Sequence, residues 1–478
     1  MKDPEELTGG DLDRETDTGG LGRETESVGH PPSHVGGQGG GAGSQASWTQ
    51  AQAEQHLRSL ELFGMRFGLD RMRRMMTALG SPQRSFETIH VLGTNGKSST
   101  TRMIAAILER HGLHTGAYLS PHLVSYTERV QVGERDIQSH EFASAVARAA
   151  RAAEQVNRTL QENDHVTQFE LLTAAAFWEL ARRGVDVAVI EAGLGGRYDA
   201  TSVIDSRVTV LTNVGLEHTR WLGPTLKDIA EEKLAVVQPG STLVLGAGLA
   251  EPALAVAREV ARERSAQIVS AGDGYGDGEP PLLARGSFQR RNFALARAAA
   301  GAYLAGAGIA LSEQALREAA ASVEVAGRLQ ILDDDPLTVL DGAHNPDAVV
   351  ALVESLPEVL PPGAPVALVL GVLEDKDAAG MLAPLLEVSE RAWFTAPPGA
   401  RALSPAALQS LARQLGFEAA SSEPDPSRAL AEARSWARSR GAAVLATGSV
   451  YLVGDLLGRW LSSSTIQRSQ ADSHRSTR

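Results

Sequence analysis

The sequence contains no cysteine among its 478 residues. Disulfide bonds, thiolate zinc sites, cysteine-ligated iron–sulfur clusters and cysteine nucleophiles are therefore excluded. Positive charge is also scarce, since 45 Lys and Arg stand against 58 Asp and Glu and leave a formal net charge of −13. Because an extended phosphate backbone is bound by clustered cations, this balance argues against a nucleic-acid-binding protein. A small anionic ligand is compatible with this charge balance.

Long apolar runs are missing as well. The uncharged, mainly apolar stretch over residues 298–312 is shorter than the roughly 20 residues that cross a bilayer. The first residues match neither a secretory signal nor a transit peptide. We therefore expect a cytoplasmic protein without a membrane helix.

Both ends of the chain lack the apolar periodicity of a folded segment. Residues 1–46 hold 12 of the 48 glycines, and residues 463–478 are mainly Ser, Gln, Arg and His. Such compositions bury too little apolar surface to fold on their own. The sequence therefore predicts disordered tails over 1–46 and 463–478.

Between the tails, short β-branched runs alternate with Ala-rich helical patterns. This rhythm predicts an α/β fold with mainly parallel sheets. The strand patterns cover residues 87–92, 115–119, 185–191, 207–213 and 242–245, and then 338–340, 365–370, 391–394 and 443–446. A fresh strand series begins after Val325. We therefore predict a phosphate-loop domain over 47–324 and a smaller, Rossmann-like α/β domain over 325–462.

A glycine loop lies between the first strand pattern and a helix pattern. It reads Gly93-Thr94-Asn95-Gly96-Lys97-Ser98-Ser99. Such a loop points backbone N–H groups and a helix N-terminus at one place, to which lysine adds charge and a hydroxyl adds a magnesium ligand. The first glycine of the usual pattern is replaced by Val91, yet the context favours a triphosphate site over a plain strand-to-helix turn. Either Ser98 or Ser99 fits as the magnesium ligand.

Polar residues follow two further strand patterns of the first domain, at the edge where α/β sheets bind ligands. Glu191 ends an apolar strand and precedes several glycines. These glycines fit a plain turn as well as they fit a ligand-binding loop. His218 follows the next strand and, taken alone, is more often a satisfied polar residue than a metal ligand. Lys233 lies in a helix pattern, where a solvated, salt-bridged face is the simpler interpretation.

The second domain contains a comparable cluster, Asp341-Gly342-Ala343-His344-Asn345-Pro346, after a strand pattern and before a helix pattern. Helix capping explains Asn345 and Pro346. It does not explain Asp341 and His344, so the segment is a second candidate site.

Together these motifs resemble the folylpolyglutamate synthase and dihydrofolate synthase family, relatives of the Mur ligases. The resemblance covers the folded span. It rests on GTNGK (93–97), SPHL (120–123), EAGLGGRYDAT (191–201), GLEHTRWLG (215–223), EK (232–233), GR (327–328) and DGAHNP (341–346). Two positions depart from the family's usual pattern, Ser98 and the Leu234-Ala235 pair after Lys233.

The resemblance implies a role for individual residues. The implied ATP contacts are Thr94, Asn95, Gly96, Lys97, Ser98, Ser99, Asn292, Arg328 and Asp341. The implied ligands of Mg²⁺, expected as two ions, are Ser120, Glu191, His218 and a carboxylated Lys233. The implied substrate contacts are Thr167, Gln168, Phe169, Glu170, Tyr198, Asp199, Ala200 and His344. Lys97, Lys233 and His218 are the implied catalytic residues.

The resemblance further implies an ATP-dependent ligase that adds L-glutamate to a pterin carboxylate, either dihydropteroate or tetrahydrofolate. The carboxylate would attack the ATP γ-phosphate, and glutamate would then attack the resulting acyl phosphate. Arg328 and Asp341 would reach ATP from the second domain, which predicts domain closure. We expect a monomer.

Two alternatives to this interpretation fit the sequence less well. Another Mur-family amino-acid ligase would carry a further domain before the phosphate loop. In this sequence only about 40 foldable residues precede the first strand, fewer than the roughly 100 of a typical domain. A non-catalytic ATP-binding relative would tolerate loss of Glu191, His218 or Lys233, and all three are present.

Overall fold

Two β-sheets organise the chain in the computed structural model. The structure describes residues 48–60, 68–162, 164–272 and 280–475, with side chains as far as residue 463. The tail predicted over 1–46 lies outside these residues.

The larger sheet has eight strands. They are β1 (Glu87–Leu92), β2 (Thr115–Tyr118), β3 (Val130–Val132), β4 (Arg135–Asp136), β5 (Val187–Glu191), β6 (Val208–Leu211), β7 (Thr242–Leu245) and β8 (Gln267–Ser270). Their order is β4-β3-β2-β5-β1-β6-β7-β8. Neighbouring strands are parallel except in the pairs β2–β3 and β3–β4.

The smaller sheet has six strands. They are β9 (Gln330–Asp334), β10 (Leu337–Leu340), β11 (Val366–Leu370), β12 (Arg391–Phe394), β13 (Ala420–Ser422) and β14 (Ala443–Thr447). Their order is β13-β12-β11-β14-β10-β9, with only β9 antiparallel to its neighbour.

Helices connect these strands. The described ones are α1 (Gln50–Arg58), α2 (Asp70–Ala78), α3 (Lys97–Glu109), α4 (Ser139–Asn157), α5 (Gln168–Arg183), α6 (Thr219–Leu222), α7 (Leu226–Leu234), α8 (Glu251–Arg264), α9 (Ser287–Gly306), α10 (Glu313–Ser322), α11 (Pro346–Ser355), α12 (Ala378–Glu387), α13 (Pro405–Gln414), α14 (Pro426–Arg440) and α15 (Val450–Arg475). None of the helices in the described ranges combines the length and apolar character of a membrane span.

Both faces of the larger sheet are buried by helices. Alternate residues of β5 show this, since Ala188 and Ile190 belong to one core and Val187 and Val189 to another. The first core contains residues of α1, α2, α4 and α5, and the second contains residues of α3, α9 and α10. Central parallel strands covered on both faces read as continuous apolar runs, which is why the sequence revealed them. The α/β prediction is confirmed.

The structure differs from the sequence prediction at the sheet edges. We did not predict β3, β4, β8, β9 and β13, which lie at or next to an edge. Edge strands such as β8 are short and partly exposed, with both end residues solvent-accessible. They therefore lack the apolar run by which a central strand is recognised.

The last helix also differs from the prediction. We predicted it over 450–461, but α15 continues to Arg475 through most of the segment expected to be a tail. No glycine or proline follows Gly458 to stop it. Residues 476–478 of the predicted tail lie outside the described residues. The domain boundary near Val325, between α10 and β9, stays a prediction.

Candidate active site

The phosphate loop is the turn between β1 and α3. Gly96 precedes the helix with φ of 81°, a left-handed conformation that favours glycine. A Cβ atom there would lie 2.5 Å from Oδ1 of Asn292, and one at Gly93 would lie 1.8 Å from Oγ1 of Thr212. The two glycines therefore allow the neighbouring elements to approach the loop closely.

The end of β6 fixes the shape of this loop. Oδ1 of Asn213 accepts hydrogen bonds from the backbone N–H groups of Thr94 at 3.1 Å and Asn95 at 2.8 Å. The Thr212 hydroxyl donates to the carbonyl of Asn95 at 2.6 Å. Sequence reasoning missed Asn213, because nothing in a strand's last residues shows which loop they support.

Two lysines meet at the same loop carbonyl. Nζ of Lys97 donates to the carbonyl oxygens of Gly93 at 3.1 Å and Thr94 at 3.0 Å. Nζ of Lys233 donates to the same Gly93 oxygen at 3.0 Å and to that of Leu194 at 2.8 Å. The helix residue expected on a solvated face is thus turned inward, and only 2% of Lys233 is exposed.

Burial changes the chemistry of Lys233. Loss of solvation, followed by repulsion from Lys97, lowers its pKa to about 7. A lysine in this state has a large neutral fraction at physiological pH, so its amine can act as a nucleophile.

Glu191 lies at the end of β5, beside the start of α3. Its Oε1 accepts from the Ser98 hydroxyl at 2.8 Å, and its Oε2 accepts from the backbone N–H of Ser120 at 3.0 Å. The carboxyl is buried, which raises its pKa, while Lys97 acts in the opposite direction. Three predicted site residues from separate motifs, Ser98, Ser120 and Glu191, are therefore brought together.

His218 lies between β6 and α6. It adopts a left-handed backbone conformation with φ of 53°. Burial lowers its pKa to about 4, so the imidazole is neutral at neutral pH and a ring nitrogen can act as a ligand. Within the described residues, no three His, Asp or Glu side chains cluster closely enough to hold a metal by themselves.

A cavity of about 300 Å³ joins these groups. Its lining includes most of the predicted site residues. They are Thr94, Asn95, Gly96, Lys97, Ser98, Ser99, Ser120, Thr167, Gln168, Phe169, Glu170, Glu191, Tyr198, Asp199, Ala200, His218, Arg328 and His344. Of the other predicted residues, Lys233 and Asn292 contact the phosphate loop from behind. Asp341 lies beside Arg328, whose charge acts on its carboxylate.

The start of α5 forms part of the cavity wall. Thr167 caps this helix, and its hydroxyl and the Glu170 carboxylate form a capping box. Nε of Arg71 donates to both oxygens of Glu170 at 3.1 Å, and Nη1 of Arg71 donates to Asp164 at 2.9 Å. Arg71, on α2, lines the cavity and was not predicted, because almost 100 residues separate it from its partner.

A second part of this wall follows β5. Oδ2 of Asp199 accepts from the backbone N–H groups of Leu194 at 3.0 Å and Gly195 at 2.9 Å. Its Oδ1 accepts from the Thr201 hydroxyl at 2.6 Å. Asp199 therefore holds the glycine turn in place beside Tyr198, which stays 39% exposed.

Residues after β10 close the cavity from the smaller sheet. Oδ2 and Oδ1 of buried Asp341 accept from the backbone N–H groups of Leu329 and Ala343 at 2.9 and 2.8 Å. Burial raises the pKa of Asp341, and the charge of Arg328 opposes this. His344, whose pKa is lowered by burial, lines the cavity.

Polar contacts at the cavity connect the loops that follow strands of the two sheets. Nζ of Lys376 lies 2.8 Å from Oε1 of Glu217. The side-chain amides of Asn95 and Asn345 donate to each other at 3.1 and 2.9 Å. Burial raises the pKa of Glu217, but the charges of His344 and Lys376 outweigh it and hold the pKa at about 2. The phosphate loop thus contacts both sheets.

Comparison with protein families gives two matches. Residues 91–274 match the Mur ligase middle domain, and residues 327–450 match the Mur ligase glutamate ligase domain. The folylpolyglutamate synthase of Lacticaseibacillus casei is 36% identical over 71% of this chain and 84% of its own length. The dihydrofolate synthase/folylpolyglutamate synthase of Bacillus subtilis is 31% identical over 83% of this chain and 96% of its own length.

Solved structures of similar proteins agree with these matches. The Mycobacterium tuberculosis folylpolyglutamate synthase complexed with ADP superposes with a TM-score of 0.80 at 28% identity, over 86% of this chain and 98% of that one. Escherichia coli FolC in complex with DHPP and ADP superposes with a TM-score of 0.74 at 29% identity, over 89% of this chain and 100% of that one.

Proposed function

The chain belongs to the folylpolyglutamate synthase and dihydrofolate synthase family of Mur ligases, and we propose that it is an ATP-dependent ligase joining L-glutamate to folates. The proposal includes both activities that the relatives' names print, dihydrofolate synthase and folylpolyglutamate synthase. The observation that carries it is the cavity in which a phosphate loop, a buried carboxylate and the start of α5 meet.

The reaction transfers the γ-phosphate of ATP to the substrate carboxylate and gives ADP and an acyl phosphate. The amine of L-glutamate then attacks the acyl carbon, and phosphate leaves. Lys97 and the N–H groups at the start of α3 would hold the phosphates and offset the charge that develops on them. Lys97 can exchange the loop carbonyls to which it now donates for phosphate oxygens.

Magnesium fits the donor set beside this loop. Glu191 and Ser98 offer oxygen donors 2.8 Å apart within the buried edge of the sheet, and oxygen is the ligand that Mg²⁺ prefers. Ser120 and His218 line the same cavity, and Ser98 is favoured over Ser99 because it already contacts Glu191. The bound ion would offset charge on the transferring phosphoryl group.

Carboxylation fits Lys233 for a separate reason. Its pKa of about 7 makes the neutral amine available to carbon dioxide. A carbamate would also place a negative charge where two ammonium groups now donate to one carbonyl, at Gly93. Repulsion between Lys97 and Lys233 would become attraction, and the carbamate would add oxygen ligands for the metal.

Residues of the smaller sheet would act on the nucleotide and exclude water. Arg328 lines the cavity, Asp341 lies beside Arg328, and Asn292 lies against Gly96. Contacts from both sheets enclose the phosphate loop, which would protect a labile acyl phosphate from hydrolysis. Thr167, Phe169 and Asp199 would face the pterin acid, with His344 helping to position it.

The test is the glutamate dependence of ADP formation. Purified protein is incubated with ATP, Mg²⁺ and either dihydropteroate or tetrahydrofolate, with and without L-glutamate. We expect sustained ADP release only in the complete mixtures, together with a product heavier by one glutamate residue. ADP release at the same rate without glutamate would refute the ligase assignment.

A further inference from the structure

The SPHL motif leads to a buried arginine that the proposed chemistry has not used. Arg129 follows this motif, is only 8% exposed and lines the cavity next to Ser120 and Pro121. A buried guanidinium is costly unless an anion accompanies it. Its surroundings therefore indicate what the cavity holds.

No ion pair compensates Arg129 within the described ranges of the chain. The adjacent carboxylate, Glu128, is turned away and accepts from the backbone N–H groups of Leu123, Val124 and Ser125 at 2.6 to 2.8 Å. The anion that completes the environment of Arg129 is therefore expected to come from a ligand.

The other cations that line the cavity have different partners. Arg71 is neutralised by Glu170 and Asp164. Lys97 donates to a carbonyl of the phosphate loop, and Arg328 donates to the carbonyl of Gly327 and lies beside Asp341. Both cations are assigned to the nucleotide in the proposed function. Arg129 therefore remains for one of the other two ligands that carry carboxylates, the pterin acid or L-glutamate.

His122 fixes the guanidinium without neutralising it. Nε of Arg129 donates to Nδ1 of His122 at 2.9 Å, and the His122 ring packs against Tyr126 with centroids 4.1 Å apart. An imidazole that accepts this hydrogen bond at Nδ1 carries no negative charge and cannot neutralise Arg129. Arg129 also hydrogen-bonds to Tyr118 and lies over the Tyr126 ring, 5.6 Å from its centroid. None of these partners is an anion, so a planar carboxylate that pairs with the guanidinium would complete its environment.

The position of Arg129 agrees with this role. Its backbone carbonyl accepts from Leu119, directly before Ser120 and the Glu191 contact. Its charge also acts on Tyr118, whose ring lies 6.3 Å from that of Phe169 at the start of α5. Arg129 therefore has neighbours next to Ser120, a proposed magnesium ligand, and next to Phe169, a proposed pterin contact. This position favours the pterin acid over L-glutamate as its ligand.

We propose that Arg129, oriented by His122, binds the carboxylate of the pterin acid and holds it for attack on the γ-phosphate. This inference rests on the proposed function, because it assigns a residue to that function's acid substrate. His122 is a positioning residue that acts through Arg129.

The experiment compares binding of dihydropteroate with binding of its methyl ester, which keeps the pterin and removes the negative charge. Binding is measured by pterin fluorescence and needs no turnover. We expect Arg129→Met to weaken binding of the acid about 10- to 100-fold, the effect of losing hydrogen bonds to a charged group. Binding of the ester should change less than about threefold. Arg129→Lys, which keeps the charge but not the planar fork, should fall between.

Positioning by His122 has its own readout. His122→Gln keeps an acceptor for Nε of Arg129, whereas His122→Leu removes it. We expect the Leu variant to raise KM for the acid severalfold with KM for ATP unchanged, and the Gln variant to restore most of the difference. Equal behaviour of the two variants would contradict the orienting contact.

Arg258→Met is the matched control, since Arg258 is exposed on α8 and pairs with Glu251 far from the motif. Wild-type acid binding by Arg129→Met and Arg129→Lys, with both variants folded by circular dichroism, would overturn the inference. Failure of the proposed function gives a different result. The wild-type protein would then release no glutamate-dependent ADP, even if it bound the acid.

Discussion

At the scale of single residues, burial gives Lys233 its unusual chemistry. Sequence reasoning reached this lysine only through the EK motif, since its helix pattern indicates a solvated face. The structure shows a side chain turned inward to the carbonyls of Gly93 and Leu194. The pKa follows from that environment and could not be derived from local sequence.

The lowered pKa of Lys233 predicts a pH-dependent stability. Its pKa is about 7 in the folded chain against an ordinary 10.5. Between these values the unfolded chain holds a proton that the folded chain has lost, so stability rises with pH across the window. From pH 7 to 9.5, in buffer free of carbon dioxide, we expect wild-type protein to gain about 3 kcal/mol relative to Lys233→Met. Urea unfolding at the two pH values measures it.

Bicarbonate provides the companion measurement. Carboxylation of the folded state alone stabilises that state, so added bicarbonate at pH 8 should raise the urea midpoint of wild-type protein and leave that of Lys233→Met unchanged. A stability difference that is constant from pH 7 to 9.5 would contradict the lowered pKa. An equal response of both proteins to bicarbonate would contradict the carbamate.

Residue-scale prediction from sequence also missed Arg71, Arg129 and Asn213. Each has an ordinary local context, and each gains its role from a side chain or backbone group brought close by the fold. Arg71 meets Glu170 across 99 positions, and Asn213 meets Asn95 across 118. Only the motifs with glycines or clustered polar residues were visible in the sequence.

At the scale of elements, the start of α11 contacts the phosphate loop. Oδ1 of Asn345 caps this helix by accepting from the backbone N–H of Ala348 at 2.9 Å. The same side chain pairs with Asn95. Asn345 and Pro346 in the sequence predict the helix cap. Capping explains only one of the two functions of the Asn345 side-chain amide, because the contact with Asn95 is the other.

Asn345→Ser separates the two functions. Serine is as good a cap as asparagine, but its side chain is too short to reach Asn95. We expect thermal stability close to wild type and an ATP dissociation constant about 5- to 30-fold higher, since loss of the paired amides removes roughly 1 to 2 kcal/mol from the enclosed loop. Calorimetric titration with a nonhydrolysable ATP analogue measures this.

Asn345→Ala is the comparison, because it loses the cap as well and should lower stability by about 1 kcal/mol. Wild-type nucleotide affinity in Asn345→Ser would show that the amide pair has no part in closing the site.

At the scale of the whole molecule, the cavity depends on how the two sheets face each other. Alternating strand and helix patterns predicted both sheets, since each central strand is an apolar run of its own. Their arrangement depends on contacts such as Glu217 with Lys376, which are 159 positions apart. No local sequence pattern predicts such a contact. The part of the cavity wall that the smaller sheet contributes could therefore be identified only from the structure.

This arrangement supports a single chemical claim, that the enclosed nucleotide phosphorylates the carboxylate of the pterin acid before the amide forms. Positional labelling tests it most directly. Dihydropteroate carrying ¹⁸O in both carboxylate oxygens is converted in the presence of ATP and L-glutamate, and the released phosphate is analysed by mass spectrometry. The account predicts one ¹⁸O atom in each phosphate and one left in the new amide. Unlabelled phosphate formed in step with the product would contradict it.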